Sequence, residues 1–150
     1  LNYPDRWYVH TAGKMLQITP NAQPTWSSLF DPDEPHGGPT FDLMHNLNRE
    51  VGPTPLAEVE NLVASYGTEA ELEPISPPVA LPDRPDIVTA VYRFTVDGDE
   101  MVLLVGTAVN PLPDSPQPVV AMTGLVDRDA YVEYDPVFET ILRSLQPASD

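Results

Sequence analysis

The stretch Val119-Val120-Ala121-Met122-Thr123-Gly124-Leu125-Val126, with the segment Asp135-Pro136-Val137-Phe138-Glu139-Thr140-Ile141-Leu142-Arg143-Ser144-Leu145 that follows it, decides the fold. The first run is too continuously apolar to be half-solvated and predicts a buried strand. The second predicts the strongest helix of the chain. Asp135 suits an N-cap, and Pro136 suits the first helical position, where no N–H is needed. Val137, Phe138, Ile141, Leu142 and Leu145 fall on one helical face, Glu139 and Arg143 complement the helix dipole, and Pro147 stops it. The residues between, Asp127 to Tyr134, read as a polar linker. A buried strand thus hands over to an amphipathic helix that must lie on the sheet.

Working outward, Met101 to Val109 is a second continuous apolar strand, joined to Ile87–Val96 across Asp97-Gly98, a two-residue hairpin signal. In the latter strand Val88, Ala90, Tyr92, Phe94 and Val96 alternate onto one face. Upstream, Glu69 to Asp86 is acidic and proline-rich, with an edge strand expected over Ala70 to Ile75. A helix is expected from the N-cap Thr54 and Pro55, burying Leu56, Val59, Val63 and Tyr66, turning Glu58, Glu60 and Asn61 to water, and ending at a left-handed Gly67. Phe41 to Leu47 alternates as a half-buried strand, which Met44 interrupts. Leu1 to Thr19 predicts a hairpin turning at Ala12-Gly13-Lys14, with Trp7 anchored at the core or its rim. Asn21 to Thr40 and Asn110 to Gln117 are proline-rich loops. Strands, helix, strands, helix argue for one α+β domain over residues 1–150, an antiparallel sheet covered by helices.

Composition narrows the function classes. The chain has 150 residues and 41% hydrophobic residues, enough for a single core. With 7 Lys+Arg against 23 Asp+Glu the formal net charge is −16. Such a surface repels nucleic-acid phosphates and anionic lipid, and suits solubility or adaptation to salt; a cationic partner stays open. The absence of cysteine excludes disulfides, thiolate nucleophiles and zinc–sulfur sites. No apolar run is long enough to span a membrane, so membrane insertion by this domain is not expected. The chain opens at Leu1 rather than Met, which suggests removal of an N-terminal segment and leaves export or a membrane anchor open.

Three features resemble the PsbP-like family, whose fold is shared with the Mog protein and with bacterial lipoproteins of the DcrB and LpqN type. The opening Tyr3-Pro4-Asp5-Arg6-Trp7 resembles its YP-x-x-W start, the hairpin across Asp97-Gly98 its central β-meander, and Tyr131 to Leu145 its closing helix. The resemblance implies an α/β/α sandwich around an antiparallel sheet. It also implies a non-enzymatic accessory or protein-binding module, exported or lipid-anchored in the bacterial envelope. It supplies no catalytic motif and no cofactor.

The residues themselves offer two candidate sites. Asp31-Pro32-Asp33-Glu34-Pro35-His36-Gly37-Gly38 gathers Asp31, Asp33, Glu34 and His36, with Asp42 shortly after. Oxygen ligands of this kind suit Ca²⁺ or Mn²⁺, and Zn²⁺ if His36 joins, although no established loop spacing is met. The ordinary alternative is a solvated acidic loop. Trp26, Leu29 and Phe30 stand among polar residues and form either an apolar partner-binding patch or anchors that fold the loop onto the core. For catalysis there is no G-x-S-x-G elbow, no glycine-rich phosphate loop and no marked carboxylate pair, and His10, His36 and His45 follow no ligand spacing. The expectation is therefore no catalytic residue, an unidentified protein partner, and as the alternative a divalent-cation module on the acidic loop.

Overall fold

In chain order the protein forms β1 (Tyr8–Ala12), β2 (Met15–Thr19), β3 (Thr40–Met44), α1 (Pro55–Tyr66), β4 (Glu73–Leu81), β5 (Arg84–Val96), β6 (Asp99–Val109) and β7 (Val119–Asp127). A 3-10 turn, Arg128–Ala130, then leads into α2 (Tyr131–Arg143). These elements are seen in a computed structural model that describes residues 3–12, 15–22, 39–44, 52–96, 98–112, 114–115 and 117–145. The seven strands make one sheet in the order β1-β2-β3-β7-β6-β5-β4, and every neighbouring pair is antiparallel. β4 to β7 run as a meander, β3 closes against β7, and α1 carries the chain from β3 to the far edge.

The period of two on the central strands sorts their side chains between two cores. Val102, Leu104 and Ala108 of β6 join Val91, Val120, Met122 and Val126 in a cluster with Phe138, Ile141 and Leu142 of α2. Met101, Leu103 and Val105 join Val88, Ala90, Tyr92 and Phe94 in a second cluster with Val59 and Leu62 of α1. β6 is therefore buried continuously from Met101 to Ala108, as its unbroken apolar run predicts. Met44, the last residue of β3, breaks the alternation as expected, and residues 45–47 lie outside the described residues. Phe41 and Leu43 face the α2 cluster while Met44 enters the α1 cluster, because both faces of the sheet are covered there. Across the β5–β6 hairpin Gly98 takes a φ of 86°, the left-handed backbone that such a turn reserves for glycine.

Several expected boundaries move. α2 begins at Tyr131, so Asp135 is not its N-cap and Pro136 lies inside it. Tyr131 and Tyr134 pack against the α2 core, and Trp7 sits 5.9 Å from Tyr134, ring centroid to ring centroid. That burial extends the helix toward its N-terminus, past a proline that removes only the bond to the carbonyl of Val132, a residue 79% exposed. In α1, Thr54 caps as expected, accepting from the Ala57 N–H at 3.2 Å. Leu56, however, is 46% exposed, whereas Glu58 is fully buried. The Glu58 carboxylate accepts from the Gly52 N–H at 2.7 Å, which turns it inward and rotates the buried stripe onto Val59 and Leu62. Gly67 ends α1 with a right-handed φ of −62° and donates to the Val63 carbonyl, so no left-handed stop is used. The edge strand runs over Glu73–Leu81 rather than Ala70 to Ile75, through Pro74, Pro77 and Pro78. An edge tolerates these prolines because alternate N–H groups point away from the sheet, and its pairing with β5 shifts register three times.

Candidate functional site

The sequence places its metal candidates, Asp31, Asp33, Glu34 and His36, and its apolar patch, Trp26, Leu29 and Phe30, in a segment outside the described residues. Asp42 is described. It lies on β3 in a cross-strand row, with His10 opposite Gln17, Gln17 opposite Asp42, and Asp42 opposite Thr123. The Gln17 amide donates to Asp42 Oδ1 at 2.9 Å, and Gln17 and Thr123 are buried. Burial raises the Asp42 carboxyl above its ordinary value, and the Gln17 hydrogen bond offsets part of that. His10 Nε2 lies 3.2 Å from the Asn21 carbonyl. Among the described residues no group of three or more His, Asp or Glu is placed to hold a metal ion.

The arrangement with the most chemistry lies under α2. Tyr131, Asp135 and Glu139 recur at intervals of four, so they share one flank of the helix, next to the buried Phe138. That flank looks across to β4 and β5. Between them is a cavity of about 110 Å³ lined by the hydroxyl residues Ser76, Thr89 and Tyr131, the acids Asp135 and Glu139, and the apolar Val91, Leu104 and Phe138. Val79, the cross-strand partner of Thr89, stands 51% exposed on the edge strand nearby.

The two carboxylates are held differently. Glu139 Oε1 accepts from Arg143 Nε at 2.9 Å. The same guanidinium donates to both Asp83 oxygens, at 2.7 and 2.9 Å, and so ties the end of α2 to the β4–β5 turn. Among the described residues no cation hydrogen-bonds to Asp135. Burial raises its carboxyl above the ordinary range, and the neighbouring negative charge of Glu139 raises it further. Burial, with the Asp135 charge beside it, likewise raises the Tyr131 phenol. A carboxylate shifted by desolvation and a like charge, in a residue that lines a cavity, marks a candidate functional position.

Two further clefts flank the molecule. Tyr3 and Pro4 meet Pro136, Val137, Thr140 and Ile141 of α2 around an apolar cleft of about 300 Å³. A polar cleft of about 580 Å³ is lined by Glu71, Glu73, Arg93, Phe94, Thr95 and Glu100, where Arg93 pairs with Glu73 at 2.7 Å.

Sequence reasoning missed the α2 flank because reading Asp135 as a cap placed Tyr131 in a linker. The spacing of Tyr131, Tyr134 and Phe138 is the signal that extends the helix and puts Tyr131, Asp135 and Glu139 in line.

No protein-family model matches the chain, and no curated protein matches it significantly. Among solved structures it is similar to PA94 of Pseudomonas aeruginosa, a protein described as of unknown function and a putative regulator. The identity is 12%, the TM-score 0.49, and the likeness covers 96% of this chain and 99% of that one. At this distance the likeness bears on neither family nor function.

Proposed function

We propose that the chain is a non-catalytic accessory module of the bacterial cell envelope, an α/β/α sandwich of PsbP-like type, that binds a partner protein through the flank where α2 lies beside β4 and β5. The observation that carries the contact surface is the pairing, on that flank, of an exposed apolar rim residue, Val79, with a cavity lined by Asp135, to which no cation hydrogen-bonds among the described residues. Protein contacts are built from an apolar patch with a few aimed polar groups. The envelope location rests on the resemblance carried by Tyr3-Pro4-Asp5-Arg6-Trp7 and by Tyr131 to Leu145. The acidic surface favours a partner with a basic face.

The test is site-specific photo-crosslinking in cells. A crosslinker replacing Val79 is expected to give a discrete heavier adduct, and one replacing the exposed Glu60 on α1 is expected to give none. Equal labelling from both positions sinks the assignment of the surface. Turnover of a generic ester, phosphate or glycoside that a point substitution abolishes would replace the non-catalytic reading altogether.

A further inference from the structure

The cavity under α2 has a lining that names a ligand chemistry. We infer that it receives the ammonium end of an alkyl chain, which in a protein partner is a lysine side chain; this rests on reading the α2 flank as the partner surface. An ammonium group carries three donors and no acceptor. The residues that line it carry acceptors to match, the carboxylates of Asp135 and Glu139 and the hydroxyl oxygens of Ser76 and Thr89. A lysine also brings a flexible four-carbon stem, which needs apolar surface. The buried Val91, Leu104 and Phe138 in the lining supply it.

Among the described residues the guanidinium bonded to Glu139 is that of Arg143, whose Nε is committed to Glu139 and whose Nη1 and Nη2 are committed to Asp83. Burial and the like charge of Glu139 both raise the Asp135 carboxyl. An ammonium seated between Asp135 and Glu139 offsets both. A divalent metal is a poorer match: with Glu139 already hydrogen-bonded to a guanidinium, too few carboxylate oxygens converge for the six to eight ligands that Ca²⁺ takes. The planar fork of an arginine calls for a bidentate carboxylate, and Glu139 already accepts from one guanidinium, so the arginine analogue is the discriminating control.

The experiment is a titration of the whole chain, followed by amide NMR, with Nα-acetyl-lysine methylamide and with n-butylammonium. Controls are Nα-acetyl-norleucine methylamide, which lacks the charge, the arginine analogue, and CaCl₂ at matched ionic strength. Saturable shifts centred on Thr89, Tyr131 and Phe138 are expected with the two ammonium probes and not with the norleucine compound. Asp135→Asn is expected to weaken the binding about tenfold or more, and Glu60→Gln on α1 to leave it unchanged. Glu139→Gln serves as a second variant should Asp135→Asn alter the fold. The inference is overturned if neither ammonium probe saturates, if both carboxylate variants bind as the parent does, or if CaCl₂ or the arginine analogue moves the same resonances equally. If the ammonium probes fail while the crosslinker at Val79 still gives its adduct, the ammonium assignment falls and the partner surface stands. If they bind and no adduct forms, the cavity is an ammonium site and the partner surface falls.

Discussion

Phe138 of α2 meets Phe41 of β3 edge to face, with ring centroids 5.3 Å apart and planes at 83°. Trp7 leans on the other side of Phe41 at 5.5 Å, so the segment before β1, the strand β3 and the helix α2 are joined through one aromatic contact chain. The contact exists because β6 and β7 present glycines beneath it. A Cβ at Gly124 would stand 2.8 Å from Phe41 Cδ1 and 3.2 Å from Phe138 Cδ2, and one at Gly106 would stand 2.5 Å from Leu142 Cδ2.

Gly124→Ala is therefore expected to destabilise the fold by about 1–3 kcal/mol, the usual cost of overpacking. Gly106→Ala is expected to cost a similar amount, because its Cβ would meet the Leu142 methyl and also stand 3.0 Å from Phe138 Cε1. Phe138→Ala, which empties the contact, is expected to cost about 3–5 kcal/mol. Urea unfolding checks the order; a midpoint that falls with an unchanged slope marks a change in stability alone.

The start of α1 makes a second set of expectations. Gly52 packs so closely on the helix that a Cβ would lie 2.6 Å from the Glu58 backbone nitrogen and 2.8 Å from the Ala57 carbonyl carbon. Backbone atoms cannot rotate aside, so Gly52→Ala is expected to displace the turn into α1. Glu58→Ala removes the acceptor of the Gly52 N–H inside a buried site, at a cost of about 1–3 kcal/mol, whereas Glu58→Gln keeps a carbonyl acceptor and is expected to cost less. Thr54→Ala is expected to lose about 1 kcal/mol as an N-cap. Thermal melts of the four single variants would rank them.

Asp135 and Asp83 predict opposite responses to pH. The Asp135 carboxyl is raised above its ordinary 3.8, so the folded chain holds that proton more tightly than the unfolded chain. Its contribution to stability falls as pH rises from 3.8 through the folded value and is level beyond. Asp135→Asn is thus expected to be more stable than the parent at pH 7, and the gain should vanish in acid. Asp83 is held below 3.8 by the hydrogen bond from Arg143, so its contribution is present above 3.8 and is lost as pH falls through the folded value. Asp83→Asn should lower the melting temperature at pH 7 and have little effect in acid. The Asp83 side chain is 66% exposed, so that loss should be small and shrink with salt. Melting curves across pH 3 to 8 would show a difference of the wrong sign at once.

The prolines of β4 are expected to keep the sheet from growing at that edge. Replacing Pro74, Pro77 and Pro78 together by threonine restores three N–H groups to an edge strand that already exposes Ile75 and Val79. Concentration-dependent association of the triple variant, followed by sedimentation velocity, is the expected outcome; a strictly monodisperse variant would contradict it.

Most of the fold was legible in the chain itself. The alternation of Val88, Ala90, Tyr92 and Phe94, the unbroken run of β6, the hairpin at Gly98 and the cap at Thr54 all act over a few residues, where turn geometry and the two-residue period leave little choice. Non-local contacts decided the rest. Tyr131 and Tyr134 could be assigned to a helix only once Trp7 and the sheet buried them, and that assignment carried Pro136 into the interior of α2. Glu58 reads as a solvent residue by type and is buried because the Gly52 N–H lies within reach of its carboxylate.

The same division holds for function. The sequence by itself determined an acidic, cysteine-free α+β chain with an antiparallel sheet and an amphipathic closing helix. These follow from composition and from periodicities that each segment carries alone. Only the tertiary structure decided that Asp135 and Glu139 share a cavity with Ser76 of one strand and Thr89 of the next, and that Arg143 is shared between Glu139 and Asp83. Asp83 and Arg143 are 60 residues apart, and no local pattern encodes their meeting. A carboxylate acquires its chemistry from what surrounds it, and that is set when the helix is laid across the sheet.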